Sequence, residues 1–256
     1  MVPQSIELIE LDVVDSSNTW LANRVRDLGA GAPLAVLAHV QTHGRGRAGR
    51  EWAASPEGSL CLSVALEVPQ PVSAWFSIVV GVAVVRSLHG LGVEGLQLKW
   101  PNDLLLKGRK LGGILCELVT VSSRQVLIVG LGLNLRDIHQ PQALGGLGSS
   151  NLLQDSSTPI TLSKSELAAR LAVAIVDQVQ QSQRLGFGAW QSEFNRLDAW
   201  LGQGVEVMLG DDLVKGKSCG CHVDGSYLIQ DSSGLRLIQS GDLSLRKSAD
   251  GNLAHV

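Results

Sequence analysis

Apolar and polar positions fall into two textures along the chain. Residues 6–14, IELIELDVV, alternate and predict a strand. The next stretch, DSSNTWLANRVRDLGAG, changes period. Trp20, Leu21, Arg24, Val25 and Leu28 recur at helical spacing, Ser16 or Ser17 stands where a cap belongs, and Gly29 ends the pattern. Residues 33–40 predict a second strand running into a glycine- and arginine-rich loop. SLCLSVALEV (59–68) predicts a third, with Leu60, Leu62, Val64 and Leu66 on one face. Residues 73–89 read as an apolar helix and 96–100 as a strand broken by Pro101. KLGGILCELVTV and QVLIVGLGLNL read as two strands joined by the turn Ser122–Arg124. Residues 137–160, rich in Gly, Ser, Gln and Pro, read as a long loop.

LSKSELAARLAVAIVDQV (162–179) is the clearest helix. Ser163 and Glu166 have capping-box spacing, and Leu167, Ala168, Leu171, Ala172, Ile175, Val176 and Val179 form one apolar stripe. Residues 187–200 predict another helix. From about 202 the texture changes to short strands separated by Gly and Asp turns, the pattern of a small β-barrel or SH3-like module. The expected division is an α/β body over residues 1–200 and a small β domain over 201–256.

Composition narrows the function classes. The chain has 256 residues, 45% hydrophobic, so a full core is available. A net charge of −3 argues against a general nucleic-acid binder, which needs a broad basic face. Four cysteines, Cys61, Cys116, Cys219 and Cys221, are too scattered for a disulfide framework. Cys219, Cys221 and His222 look faintly metal-like, but two further ligands are missing and the two cysteines fall on one strand face, so no metal site is expected. The longest apolar run, WFSIVVGVAVV, is too short to span a bilayer, and MVPQSIELIE lacks the apolar stretch of a signal peptide. A cytoplasmic protein is expected.

Against this background QTHGRGRAGR (41–50) is anomalous: three arginines and three glycines with no aliphatic anchor. Gly44, Gly46 and Gly49 fit G-x-G-x-x-G after a strand, but REWAASPEGS follows where a dinucleotide fingerprint needs a helix. GDDLVKGKS (210–218) has one residue too many for a phosphate-binding Walker loop. GRAG lies after a strand rather than between the helices of an RNA-clamping loop. Arginine nonetheless offers fixed donors to phosphate or carboxylate, and glycine lets backbone N–H groups approach an anion. The loop reads as an anion-binding lid that excludes water when ordered. The second unusual stretch, KWPNDLLLKGRKLGGILCEL (99–118), sets Lys99, Asp103 and Lys110 at strand ends around one crevice.

Taken in order, DSSNTWL, QTHGRGRAGREW, KWPNDLLLKGRKLGGIL and GLGLNL resemble the biotin protein ligases, densely over residues 7–135 and thinly to GDLSLR (241–246). The resemblance implies an α+β fold: a mixed sheet with helices on one side, class II synthetase-like, then an SH3-like barrel. It implies activation of biotin by ATP as biotinyl-5′-AMP, with Mg²⁺ on the triphosphate, and transfer to a lysine of a biotin carboxyl carrier protein of acetyl-CoA carboxylase. Ser16, Ser17 and Asn18 match the residues that hold the ureido ring, Ser17 replacing a threonine. Gln41, Gly113, Gly130 and Gly132 match further biotin contacts.

Gly44, Arg45, Gly46 and Arg47 match the loop that closes over the acyl-adenylate. Lys110 matches the lysine meeting carboxylate and phosphate. Asn102, Asn134 and Arg246 match nucleotide contacts, with Asp242 where the family has an acid, and Arg50 joins them. Lys110 and Arg47 are the expected catalytic cations, and Asp103 the base or orienting group for the carrier lysine. Trp52 and the 137–153 loop are candidates for the adenine wall. Ala48 departs from the family, standing where many relatives have a basic residue. Because the first strand begins near Ile6, no helix-turn-helix domain and no DNA partner are expected; relatives range from monomers to homodimers. The rival enzyme is a lipoate or octanoate ligase. An Arg/Gly RNA-binding module is disfavoured because aromatics are only 4% of the chain and few bases could stack.

Overall fold

The computed structural model describes residues 6–29, 33–69, 75–136, 148–209, 212–239 and 245–247. The expected start of the apolar helix at 73, residues 137–147 of the 137–160 loop and Asp242 lie outside them. Seven strands form the larger sheet: β1 (Glu7–Val14), β2 (Leu34–Gln41), β3 (Ser59–Val68), β4 (Leu96–Lys99), β5 (Asp103–Leu106), β6 (Arg109–Val121) and β7 (Arg124–Asn134). Their order is β1-β2-β3-β7-β6-β5-β4. Only β1 and β2 run parallel, because the helix α1 (Ser17–Leu28) crosses over between them; the remaining neighbours are antiparallel.

Helices cover both faces of this sheet, not one. On one face α2 (Phe76–His89) and α4 (Lys164–Leu185) bury Leu60, Leu62, Val64 and Leu66. On the other, Leu21 and Val25 of α1 pack on Val36, Ala65, Val126 and Ile128. The alternation in β3 identified the first face alone. Its second face is buried too, because Cys61 and Ser63 lie beneath α1 and the cavity described below.

The capping box forms as expected: Glu166 N donates to Ser163 Oγ, and Ser163 N to Glu166 Oε2. α4 runs past the end of its apolar stripe to Leu185, since helix-compatible residues follow until Gly186 turns the chain at φ 72°. A short helix α3 (Leu152–Asp155) occupies part of the expected loop, capped by Asn151. α5 (Gly188–Leu197) stops short of 200 because Asp198 pairs in register with Leu98.

The C-terminal residues form an antiparallel sheet of β8 (Gly204–Leu209), β9 (Asp212–Cys221), β10 (Tyr227–Asp231), β11 (Gly234–Ile238) and β12 (Leu245–Lys247), in the order β11-β10-β9-β8-β12. No β11–β12 pairing closes it into a barrel among the described residues. A bulge opposite Leu228 and Ile229 interrupts the β9 alternation, so Cys221 is buried while Cys219 is partly exposed; the two are not on one face. The sheet shares a core with the body through Val205, Val207, Tyr227 and Ile229. Trp100 Nε1 donates to Gly225 O at 3.1 Å, and the Trp100 and Tyr227 rings lie 5.4 Å apart.

Candidate active site

A cavity of about 380 Å³ opens on the α1 side of the larger sheet. Its floor is Cys61, Leu62, Gly113, Gly130, Leu131 and Gly132 from β3, β6 and β7, with Ser16, Ser17, Asn18 and Gln41 at one end. Lys99, Asp103 and Lys110 lie on its wall, and Arg45, Gly46, Arg47, Arg50 and Trp52 line it from the loop.

At the Ser16–Asn18 end the residues lining the cavity are uncharged, and Ser17, Asn18 and Gln41 are hydrogen-bonded. Ser16 occupies the N-cap position of α1, but its hydroxyl makes no cap bond. Ser17 Oγ donates to Gln41 Oε1 at 3.0 Å, and Ser17 N donates to the same oxygen at 2.8 Å. Ser63, fully buried, lies with its Oγ 2.7 Å from Ser17 Oγ and 2.6 Å from Asn18 Oδ1. Asn18 Nδ2 donates to Glu117 Oε2 at 2.8 Å. Glycine at 130 is what lets this end form: a Cβ there would stand 2.6 Å from Asn18 Oδ1.

The far end is charged. Asp103 begins β5 opposite Lys99 and is held by two ammonium groups, Lys110 Nζ at 2.8 Å and Lys99 Nζ at 3.3 Å. Burial pushes the Asp103 carboxyl up, but Lys110 and Lys99 outweigh it and hold the group below the usual carboxylate range. Burial lowers Lys99, opposed by Asp103. Lys99 Nζ also sits 5.1 Å over the Trp200 ring. The Trp100–Pro101 peptide is cis, and Asn102 beyond it donates from Nδ2 to Ile114 O.

Between the ends, the Arg/Gly segment is a small hairpin rather than an unstructured loop. Gly46 N donates to Arg50 O at 2.7 Å, Trp52 N to Gly44 O at 2.9 Å, and Arg45 pairs with Glu51. Ala48 takes the left-handed conformation at its tip, φ 53° and ψ 35°. Two arginines tie the hairpin across the cavity: Arg45 to Glu117 Oε2 at 3.1 Å and Arg47 to Asn102 Oδ1 at 3.3 Å. The Trp52 ring lies against Gly132, where a Cβ would come within 2.5 Å. Its indole N–H is buried with no hydrogen-bond partner among the described residues.

Most sequence-selected residues therefore meet at one cavity. Gly44 is buried beside it, where a Cβ would approach Trp52 O at 2.4 Å. Asn134 lies off the cavity wall; its Nδ2 donates to Ser150 O at 3.1 Å and Lys110 O at 3.4 Å. Arg246 lies in β12, opposite Glu206 of β8 in the backbone register. His43 is exposed beside Thr42. Sequence reading named Lys99 in the crevice without giving it a role, and missed Ser63 and Glu117. Ser63 sat in an alternating strand that reads as core, and nothing local marks Glu117. Cys61 lines the floor; burial pushes its thiol up to about 11, so it is an inert wall.

Residues 10–134 match the Biotin/lipoate A/B protein ligase family. The chain is 31% identical over 242 residues to the bifunctional ligase/repressor BirA of Salmonella typhimurium, covering 93% of this chain and 74% of that protein. It is 37% identical over 135 residues to the biotin–[acetyl-CoA-carboxylase] ligase of Mycobacterium tuberculosis, 49% of each chain. The fold matches the biotin protein ligase of Aquifex aeolicus in complex with biotin and ATP, with a TM-score of 0.79 at 27% identity, over 94% of this chain and 99% of that one. The chain belongs to the biotin/lipoate A/B protein ligase family. With the fold and the named relatives of the biotin protein ligases, it is a ligase of that kind.

Proposed function

We propose that this cavity joins biotin and ATP into biotinyl-5′-AMP and hands the biotinyl group to one lysine of the biotin carboxyl carrier protein of acetyl-CoA carboxylase. The observation that carries this is the polarity of the cavity: a neutral hydrogen-bonding end at Ser17 and Asn18 and a cationic end at Lys110, with Arg47 above. A ligand with a neutral ureido head and an anionic tail fits that gradient. Ser16, Ser17, Asn18 and Gln41 hold the ureido ring, and Gly113, Gly130 and Gly132 let the ligand lie on the strands. Arg50, Trp52 and Asn102 line the cavity and serve the nucleotide, and the family resemblance adds Asn134 and Arg246. Mg²⁺ would accompany the triphosphate as its counter-ion, since Asp103 is already shared by two lysines.

In the first step a carboxylate oxygen of biotin attacks the α-phosphorus, and the bond to pyrophosphate breaks. Two anions must meet, and Lys110 and Arg47 neutralise the charge that develops. In the second step the carrier amine attacks the acyl carbon, and AMP leaves. A carboxylate with a depressed pKa is a weak base, so Asp103 serves better to orient Lys110, and any incoming amine, than to keep its proton. Residues 1–200 form the catalytic domain in this reading, and residues 201–256 an SH3-like module bracing its crevice through Trp100. No helix is long and apolar enough to cross a membrane among the described residues.

The test is incubation with MgATP, biotin and a biotin carboxyl carrier domain, read by avidin blot and intact mass. One biotinyl group on one lysine is the expected result. Labelling with lipoate or octanoate in preference to biotin would overturn the choice of acid.

A further inference from the structure

Glu117 joins two parts of the cavity that the reaction uses separately. A single oxygen, Oε2, accepts from Asn18 Nδ2 at 2.8 Å and from Arg45 at 3.1 Å. Asn18 belongs to the neutral end; Arg45 belongs to the hairpin that spans the cavity. Glu117 stands on β6, paired with Ile128 of the sheet, so this anchor is fixed to a rigid strand. The amide of Asn18 is oriented from the other side by Ser63 Oγ, itself fully buried. Arg45 reaches β6 only while the Gly44–Trp52 hairpin lies across the opening.

We infer that Glu117 is a positioning residue that latches the Arg/Gly hairpin over the cavity and couples its closure to the orientation of Asn18, so that the acyl-adenylate is retained until the carrier arrives. The inference rests on the adenylate reading above. The carboxylate performs two separable tasks. As an acceptor it fixes the Asn18 amide, and an uncharged amide at 117 keeps that task. As a charge it holds the Arg45 guanidinium, and only an acidic side chain does so. Arg45 is 45% and Glu117 33% exposed, so the pair is weak and salt-sensitive, as a lid that must reopen requires.

The experiment compares the full chain with Glu117→Gln and Glu117→Ala. Release of free biotinyl-AMP is measured by rapid filtration in biotin and MgATP without carrier, and trypsin cleavage after Arg45, Arg47 or Arg50 is measured without ligand. Glu117→Gln is expected to release adenylate about three- to fivefold faster, the scale of an exposed ion pair. Its biotin KM and rate of adenylate formation stay within about twofold, and trypsin cuts its hairpin faster by a similar factor. Added salt speeds release from the parent and not from Glu117→Gln. Glu117→Ala also raises the biotin KM, because the Asn18 amide loses its acceptor.

If Glu117→Gln matches the parent in both release and cleavage, the latch is refuted. If the parent makes no biotinyl-AMP, the adenylate reading fails instead. Cleavage then decides alone: faster cutting in Glu117→Gln sustains the tie between hairpin and β6, and equal cutting removes it.

Discussion

The two cationic sources at the cavity are built in opposite ways. The crevice sets Lys99 and Lys110 on strands, with one half-buried carboxylate between them. The hairpin sets Arg45 and Arg47 on a short segment tied by a few polar bonds. Charges on strands are preorganised, and their cost is met once, on folding. Charges on a hairpin cross the cavity only while it is shut, so in the proposed reading they add to the site and also control access to it. A reaction with a labile intermediate needs both: a fixed field for making the mixed anhydride and a movable cover that keeps water from it.

The largest expected effect falls on the crevice. Asp103→Ala strands the buried Lys99 ammonium and removes the partner of Lys110. Breaking a buried pair from one side costs about 3–5 kcal/mol, so chemical denaturation should report a loss of that size. The pH dependence has a definite sign. Asp103 is held below its ordinary value of 3.8 in the folded chain, so its contribution is complete above that value. It is lost as pH falls through the lower folded value, and Asp103→Asn should flatten that acid limb. A variant as stable as the parent would show that the crevice is not a preorganised unit.

Next in size is Lys110→Ala, which should lower adenylate formation about 10²–10³-fold, the usual effect of removing one positioned charge donor. Pyrophosphate exchange measures it. Lys99→Ala should affect stability more than rate, since Lys99 is 6% exposed and packs over Trp200. Equal kinetic losses in the two variants would mean that both lysines act on substrate.

This contrast was unevenly legible in the sequence. The strands, the capping box and the KWPND corner followed from period, cap spacing and Pro101, all of which act over a few residues. The GRGRAGR stretch announced itself by composition. What joins the parts did not: Ser63 is one more position of an alternating strand, and nothing local marks Glu117. Their roles depend on pairings 45 and 99 residues apart in sequence. The second helix-covered face stayed hidden because alternation in β3 reports one face at a time. The bulge in β9 split the two cysteines for a similar reason, as one extra residue inverts the pattern beyond it.

On the hairpin, Arg47→Ala should release free biotinyl-AMP about tenfold faster while adenylate formation falls less than in Lys110→Ala. Filtration of the product mixture measures the leak. Retention equal to the parent's would show that the hairpin is no cover.

The smallest effect sits at the hairpin tip. Ala48 adopts φ 53°, where a residue with a Cβ is strained by about 1–2 kcal/mol. Glycine removes that strain but costs about 0.5–1 kcal/mol in freedom lost on ordering. The terms oppose, and their mid-range values leave a balance of about 0.75 kcal/mol in favour of the closed hairpin. Ala48→Gly should therefore slow trypsin cleavage at the neighbouring arginines, and adenylate release, by a fewfold at most. It should leave the stability of the crevice untouched, because Ala48 is exposed. A basic residue at 48 would bear the same strain as alanine, so its value to a relative would lie in added charge and not in a better-formed turn. If Ala48→Gly instead speeds both cleavage and release, entropy outweighs strain at the tip. The alanine would then be what keeps this hairpin closed with one fewer cation than many relatives carry.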